Sequence, residues 1–144
     1  MSPEQLKDKI RTAFNQFSPE RPEILADFYS SEAVFQDPVT RVEGLANIRT
    51  YYEHVYKSVQ SIQFTFSQIA NAGSTYYAHW NMELKVRGLN SGRGYNVEGM
   101  SVLVFGENGK VISHRDYLDL GAMVYEQIPI LGHGIRAIKR MLHS

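Results

Sequence analysis

The hydrophobic period of the chain changes near residue 60, and this change constrains the fold more than any other feature of the sequence. Before it, apolar residues recur at every third or fourth position, which predicts helices. After it, apolar and polar residues alternate, which predicts half-buried strands joined by turns. Helices that precede a run of hairpin-linked strands are typical of an α+β domain with a mainly antiparallel sheet.

Three amphipathic helices are predicted before the change. Ser2 and Gln5 form a capping box around Pro3, so the first helix is predicted to begin there. Gly44 opens the third helix, which is predicted to run to about Ser58. The apolar residues predicted to be buried in the three helices are Leu6, Ile10, Ala13, Phe14 and Phe17; Ile24, Leu25 and Phe28; and Leu45, Ile48, Tyr52, Val55 and Val59.

Four strands are predicted after the change. The first contains alternating Ile62, Phe64 and Phe66, and the other three are predicted at Tyr76–Val86, Tyr95–Phe105 and Lys110–Leu120. The strand Tyr95–Phe105 is apolar on both faces: Val97, Leu103 and Phe105 lie on one face, and Met100, Val102 and Val104 on the other. Helices can cover only one face of the sheet, so we expect a second copy of the chain on the other face, in a homodimer.

Length and composition limit the kinds of function. The 144 residues are the usual size of one domain, which we assign to residues 1–144, with a core at 3–120 and a helical extension at 121–144. The formal net charge is zero, which disfavours a nucleic-acid partner. The absence of cysteine excludes disulfides and thiolate metal sites, and it fits a reducing compartment. The N-terminus shows no secretory pattern, so we expect a cytoplasmic protein.

We predict no metal and no cofactor. The five histidines form no His-x-His or His-Glu-x-x-His pattern, which are the spacings typical of metal sites. Gly92-Arg93-Gly94 precedes a strand rather than a helix, so it lacks the helix N-terminus that phosphate-binding loops use. We interpret it as a hairpin loop.

A last helix is predicted from Pro129. Its apolar stripe comprises Ile128, Leu131, Ile135, Ile138 and Leu142, beside which Arg136, Lys139 and Arg140 form a basic cluster. The favoured interpretation is an amphipathic helix that packs on its own domain or on a partner subunit. The alternatives are a helix that lies on an anionic membrane or one that covers a pocket.

Three segments resemble the nuclear-transport-factor-2-like superfamily: Phe28–Val39, Gly44–Tyr56 and His114–Asp119. The last is similar to the end of SnoaL-type polyketide cyclases and limonene epoxide hydrolases, and the first to part of ketosteroid isomerases. The resemblance implies a cone-shaped α+β barrel, in which N-terminal helices pack on a curved sheet around a pocket for a small apolar molecule. It also implies that Asp37 matches the isomerase base, and Asp116 an acid or base of the other two families.

The sequence also departs from these families. Ketosteroid isomerases bind the enolate oxygen with a tyrosine of the first helix and a protonated aspartate, where this chain has Ala13 or Phe14 and Ser101. Limonene epoxide hydrolases use an Arg-x-Asp pair on the strand that here reads His79-Trp80-Asn81-Met82. Steroid isomerisation and epoxide hydrolysis are therefore disfavoured.

Strand alternation and the resemblance together select a candidate site. Alternation places Ile112, His114, Asp116, Leu118 and Leu120 on one face of the last strand, and the resemblance makes this the concave face. We expect Asp116 and Asp37 to carry protons, and His114, about 7 Å from Asp116 along the strand, to orient or polarise. The residues predicted to bind the ligand are Trp80, Tyr52, Tyr56 and Ser101.

The predicted activity is acid–base chemistry on an apolar oxygenated molecule: isomerisation, cyclisation, dehydration or hydrolysis. The alternative is a non-catalytic binding or accessory protein, in which His114 and Asp116 only satisfy each other and Asp37 only caps its turn. His79 and Glu83 are predicted on the outer face of the sheet, away from the chemistry.

Overall fold

The computed structural model describes residues 1–123 and 129–143, with side chains for all of these except 129–135. The helices are α1 (Pro3–Phe14), α2 (Pro22–Phe28), α3 (Leu45–Tyr56), α4 (Leu120–Met123) and α5 (Pro129–His143). The strands are β1 (Tyr29–Gln36), β2 (Arg41–Glu43), β3 (Val59–Ala72), β4 (Thr75–Val86), β5 (Tyr95–Phe105) and β6 (Val111–Leu118). The predicted α+β class is confirmed.

The N-terminal helices form as their sequence predicts. Ser2 Oγ accepts a hydrogen bond from the Gln5 N–H at 3.2 Å, and the Ser2 N–H donates to Gln5 Oε1 at 2.8 Å, so the capping box is confirmed. The residues that α1 and α2 bury against the sheet are Leu6, Ile10, Ala13, Phe14, Leu25 and Phe28. Helix α3 begins after Gly44, whose φ of +88° suits a residue without a side chain.

The six strands form one open sheet in the order β2-β1-β6-β5-β4-β3. Neighbouring strands are antiparallel except β1 and β6, which are parallel and are paired through Phe35 with His114 and Gln36 with Arg115. The four long C-terminal strands follow one another as hairpins, whereas β1 joins them from the other end of the chain. This parallel pairing places the end of β1 beside the predicted site on β6.

The two faces of β5 differ as the alternation predicts. Val97, Leu103 and Phe105 are buried on the inner face, where the Phe105 ring contacts Phe28 of α2. The outer-face residues Met100, Val102 and Val104 are half-buried. The outer face of β5 is therefore less buried than its inner face within the part of the chain that the structure describes.

The first half of β6 corrects one prediction. Val111 is fully buried and Ile112 is 45% exposed, the reverse of the predicted alternation. The reason is a β-bulge: Phe105 pairs with Val111 while the neighbouring Val104 pairs with Ser113. The additional residue reverses the faces before the bulge and leaves them unchanged after it. His114 therefore still shares the inner face with Asp116.

The C-terminal segment differs from its prediction in part. Strand β6 ends at Leu118 and α4 begins at Leu120, so Leu120 is helical rather than extended. Helix α5 begins at Pro129 as predicted, while Ile128 lies outside the described residues. Ile138 and Leu142 are 60% and 82% exposed, so this part of the apolar stripe does not pack on its own domain. Of the helices described, none has the length and apolar character required to cross a membrane.

Candidate functional site

A cavity of about 260 Å³ lies between α1, α3 and the inner face of the sheet. Its wall is mostly aromatic and aliphatic, and α4 contributes Leu120 and Met123. The side chains that bring polar atoms to this wall are Asp37, Tyr51, Tyr52, Tyr56, Trp80, Tyr95, His114 and Asp116. An apolar cavity with a few convergent polar groups is the usual form of a small-molecule site.

Asp116 receives two hydrogen bonds on one oxygen. Ser101 Oγ lies 2.5 Å and His114 Nε2 lies 2.6 Å from Asp116 Oδ1. Asp116 Oδ2 has no hydrogen-bond partner among the residues that the structure describes. The side chain is 18% exposed and lines the cavity, so this second oxygen is available to a ligand.

Trp80 fixes the direction of the bonds on one side of Asp116. The Trp80 Nε1–H donates to Ser101 Oγ at 2.9 Å, and an indole nitrogen can only donate. The Ser101 hydroxyl therefore has its own proton free for Asp116 Oδ1. Ser101 is fully buried, so both of its hydrogen bonds are shielded from water.

Two tyrosines continue the network behind His114. The Tyr29 hydroxyl lies 2.6 Å from His114 Nδ1 and 3.1 Å from the Tyr52 hydroxyl. With the proton of the His114 ring placed on Nε2, toward the carboxylate, Nδ1 accepts from Tyr29, and Tyr29 in turn accepts from Tyr52. Burial raises the pKa of both tyrosines well above the ordinary value, which keeps them protonated.

His114 is held by ring contacts as well as by hydrogen bonds. It is 2% exposed, and its ring stacks on Phe14 at 5.5 Å and meets the edge of Phe35 at 4.8 Å between centroids. A buried imidazole between two rings and two hydrogen-bond partners has one orientation. His114 therefore fixes the position of Asp116.

Asp37 is already occupied by three donors. Its Oδ1 accepts from the N–H groups of Val39 and Thr40 at 2.8 and 2.7 Å, which is the turn-capping role that the sequence left open. Its Oδ2 accepts from the hydroxyl of Tyr51. Burial, followed by this bond to Asp37, raises the pKa of Tyr51. Asp37 thus both caps the turn and lines the cavity.

The parallel register of β1 and β6 brings the two carboxylate residues together. Gln36 pairs with Arg115, so Asp37 and Asp116 are the next residues along the two neighbouring strands. Both also line a smaller hollow of about 230 Å³, together with Arg115 and Tyr117. The two aspartates therefore lie between the cavity and the surface of the protein.

The structure places most of the predicted site residues on the cavity wall. Asp37, His114, Asp116, Trp80, Tyr52 and Tyr56 line it. Ser101 does not line it: its side chain lies behind Asp116 and contacts Trp80, so we correct its predicted place from the ligand wall to the support of Asp116.

Sequence reasoning missed Tyr29 and Tyr51. Tyr29 is the first residue of β1, directly after α2, where neither helical nor strand periodicity applies. Tyr51 is adjacent to Tyr52 on α3, and the predicted buried face included only Tyr52. The sequence signal that could have found Tyr51 is the spacing of Tyr51, Tyr52 and Tyr56, which places three phenols along one broad side of a helix.

The outer face of the sheet has a separate polar cluster. The two ring nitrogens of His79 contact Glu98 Oε1, at 2.7 Å, and Ser67 Oγ. Glu83 is exposed. His79 and Glu83 therefore lie on the outer face, as predicted. In the described part of the chain, no group of three His, Cys, Asp or Glu side chains is placed to hold a metal ion.

Comparison with protein families identifies the fold family. A model of the SnoaL-like domain matches residues 10–114, which is most of the chain and ends two residues before Asp116. The chain belongs to the SnoaL-like family. Comparison with curated protein sequences finds no match. The resemblance inferred from the sequence is confirmed.

Solved structures of SnoaL-like and related proteins have the same fold. A proposed SnoaL-like polyketide cyclase from a Jannaschia species has a TM-score of 0.76 at 14% identity, over 90% of this chain and 96% of the other. A nuclear-transport-factor-2-like protein of unknown function from Burkholderia pseudomallei has a TM-score of 0.75 at 14% identity, over 90% and 99%. A proposed SnoaL-like polyketide cyclase from Shewanella putrefaciens has a TM-score of 0.71 at 22% identity, over 87% of this chain and 94% of the other. At these identities the likeness shows the fold alone.

Proposed function

We propose that the protein is a small-molecule enzyme that carries out acid–base chemistry in the cavity, with Asp116 as the group that takes and returns the proton. The observation that carries this proposal is the asymmetry of Asp116 on the cavity wall: Oδ1 is held by Ser101 and His114, and Oδ2 has no partner among the described residues. A carboxylate fixed on one side and free on the other is arranged to act as a general base.

The chemistry follows from that asymmetry. Asp116 Oδ2 takes a proton from a carbon next to a carbonyl group: the C–H bond breaks and an O–H bond forms on Oδ2. The C–H electron pair becomes the C=C bond of an enolate, and the π pair of the carbonyl group moves to its oxygen. Return of the proton to another carbon of the conjugated ligand completes an isomerisation. In a cyclisation, the enolate carbon attacks a second carbonyl carbon of the ligand: a C–C bond forms, the π bond of that carbonyl breaks, and its oxygen takes the proton from Asp116. His114 holds Asp116 Oδ1 through both steps, and Tyr29 holds His114.

We assign a positioning role to Asp37. Three donors occupy its carboxylate, so it holds the turn and Tyr51 rather than exchanging a proton. We further place the enzyme in the cytoplasm, because a chain without cysteine suits a reducing compartment.

A non-catalytic ligand-binding protein is the second candidate. The observation that favours it is the bond of 2.6 Å between His114 and Asp116, through which the two groups satisfy each other. Such a protein would use the same cavity to hold a ligand without changing it. The two candidates differ in whether the bound molecule exchanges protons.

Exchange of the α-protons of small cyclic ketones for deuterium distinguishes the two candidate functions. The protein is incubated with 1-indanone or 1-tetralone in D₂O, and loss of the α-proton signal is followed by NMR. We expect the exchange rate with wild type to exceed the rate in buffer. Asp116→Asn should lower the catalysed rate about 10²–10⁴-fold. The matched control is Glu98→Gln, which neutralises an exposed carboxylate on the outer face and should leave the rate unchanged. Binding of a ketone by wild type without exchange would favour the non-catalytic candidate.

A further inference from the structure

The cavity wall has four tyrosines whose hydroxyl groups could reach a ligand: Tyr51, Tyr52, Tyr56 and Tyr95. Three of them already have partners in the protein. Tyr51 donates to Asp37, Tyr52 is paired with Tyr29, and Tyr95 donates to the Met123 carbonyl oxygen at 2.5 Å. Each of these protons is directed away from a ligand.

Tyr56 is different. Its hydroxyl has no hydrogen-bond partner among residues 1–123 and 136–143. It is the last residue of α3, and its ring lies 6.1 Å from that of Tyr52, the outermost tyrosine of the network that ends at Asp116. Tyr56 and Asp116 Oδ2 are therefore a donor and an acceptor that the described protein leaves unused on one cavity wall.

The chemical state of Tyr56 fits a donor. Burial raises its pKa to about 12, so the phenol keeps its proton through the neutral range. Tyr56 is half-buried on the cavity wall, and a ligand oxygen in the cavity that accepts its proton replaces water as the partner of the hydroxyl. Polar groups without a partner in the protein are the ones that discriminate between ligands with and without a matching atom.

We propose that Tyr56 donates a hydrogen bond to the carbonyl oxygen of the ligand whose α-proton Asp116 takes. The inference rests on the proposed function. As the enolate forms and the π pair of the carbonyl group moves to its oxygen, the Tyr56 O–H stabilises the negative charge there and keeps its own proton. It supplies from α3 the hydrogen bond that Phe14 on α1 cannot supply, and that Ser101 on β5, bonded to Asp116, does not.

The first test is recognition of the carbonyl group. Affinities of 1-indanone and 1-tetralone are compared with those of indane and tetralin, which have the same rings without the oxygen. We expect wild type to bind each ketone about five- to tenfold more tightly than its hydrocarbon. Tyr56→Phe should remove this preference, and Tyr77→Phe on the outer face should retain it. No preference in wild type, or an unchanged preference in Tyr56→Phe, would overturn the inference.

The second test reports the hydrogen bond directly. The infrared carbonyl stretch of bound 1-indanone in wild type should lie below its value in hexane, and in Tyr56→Phe it should return toward the hexane value. The measurement on wild type is sufficient by itself. If the bound ketone has the same carbonyl frequency as in hexane, the inference is wrong, even if the variant does not fold.

The exchange assay distinguishes failure of this inference from failure of the proposed function. Tyr56→Phe should slow α-proton exchange about 100-fold, as loss of an oxyanion donor does. If Asp116→Asn abolishes exchange while Tyr56→Phe keeps both rate and carbonyl frequency, the inference fails and the proposed function stands. If Asp116→Asn exchanges like wild type, the proposed function fails. A low carbonyl frequency that depends on Tyr56 would then still show the hydrogen bond.

Discussion

Each face of the sheet has residues that depart from the usual separation of apolar residues inside and polar residues outside. Inside, Ser101 and His114 are buried and are joined in one hydrogen-bonded network with Asp116. Outside, Tyr117 and Ile112 are 48% and 45% exposed. Polar residues inside have to be fully paired, and apolar residues outside gain from a partner. The comparison supports our proposals of a ligand for the inner face and a partner for the outer face.

The largest expected effect concerns the packing of the inner face. Gly99 lies beneath Trp80, and a Cβ at this position would lie 2.4 Å from Trp80 Cη2 and 2.8 Å from the Tyr117 carbonyl oxygen. That oxygen belongs to the backbone of β6 and cannot move easily. We expect Gly99→Ala to lower the free energy of unfolding by about 3 kcal/mol or more, as measured by urea denaturation.

The matched control for Gly99 is Gly94, just before β5. The nearest atom to a Cβ there is 3.9 Å away, so Gly94→Ala should change the free energy of unfolding by less than about 0.5 kcal/mol. Equal effects of the two substitutions would contradict the close packing of the inner face.

Two serines, one on each face of the sheet, allow the stability contributed by polar contacts on the two faces to be compared. Ser101→Ala leaves the buried Trp80 N–H without its acceptor, so we expect a loss of about 2 kcal/mol in the free energy of unfolding. Ser67, which contacts His79 on the outer face, is exposed to water. Ser67→Ala should therefore cost less than about 0.5 kcal/mol. Similar losses for both serines would show that the inner network is not shielded.

Self-association tests the outer face. We propose that a second copy covers it in a homodimer, and a buried, unpaired carboxylate opposes such an interface. Val102→Glu should weaken the dimer at least about tenfold in sedimentation, which corresponds to about 1.4 kcal/mol. Asn96→Glu, on the same face of β5 but exposed, is the control and should sediment like wild type. A monomeric wild type would remove this explanation of the apolar outer face.

The smallest expected effect is the change in protein stability at high pH that Tyr56 causes. Burial raises the pKa of Tyr56 to about 12, against about 10 in an unfolded chain. Between these values the unfolded chain loses the proton first, so the stability contributed by Tyr56 is complete below pH 10 and falls as the pH rises to 12. At pH 11, the loss in the free energy of unfolding should be about 1 kcal/mol smaller in Tyr56→Phe than in wild type. The difference between the two proteins at pH 8 controls for effects unrelated to ionisation.

The sequence predicts the elements of this fold well because most of them depend on local patterns. The change of period predicts the helices and the long strands, and β5 has the predicted bounds. The bulge at Ile112 was not predictable, because an additional residue in β6 is defined only by its pairing with β5.

The candidate site was predictable only in part. Alternation places His114 and Asp116 on one face, and their side chains do meet. Tyr29 joins them only because β1 pairs with β6, a contact between distant parts of the chain that no local pattern contains. Asp37 illustrates a different limit: its turn-capping and pocket positions were alternatives in the sequence, and the structure has both.

The parallel pairing of β1 and β6 has a consequence for the kinetics of folding. Strands β3 to β6 are joined by short turns, whereas Tyr29 and Val111, which pair across β1 and β6, are separated by about 80 residues. Closing that long loop is slow relative to hairpin formation, so we expect the β1–β6 contact to form late. His114 has its Tyr29 partner only after that step. A ligand that needs the finished cavity should therefore slow unfolding and leave the rate of folding unchanged.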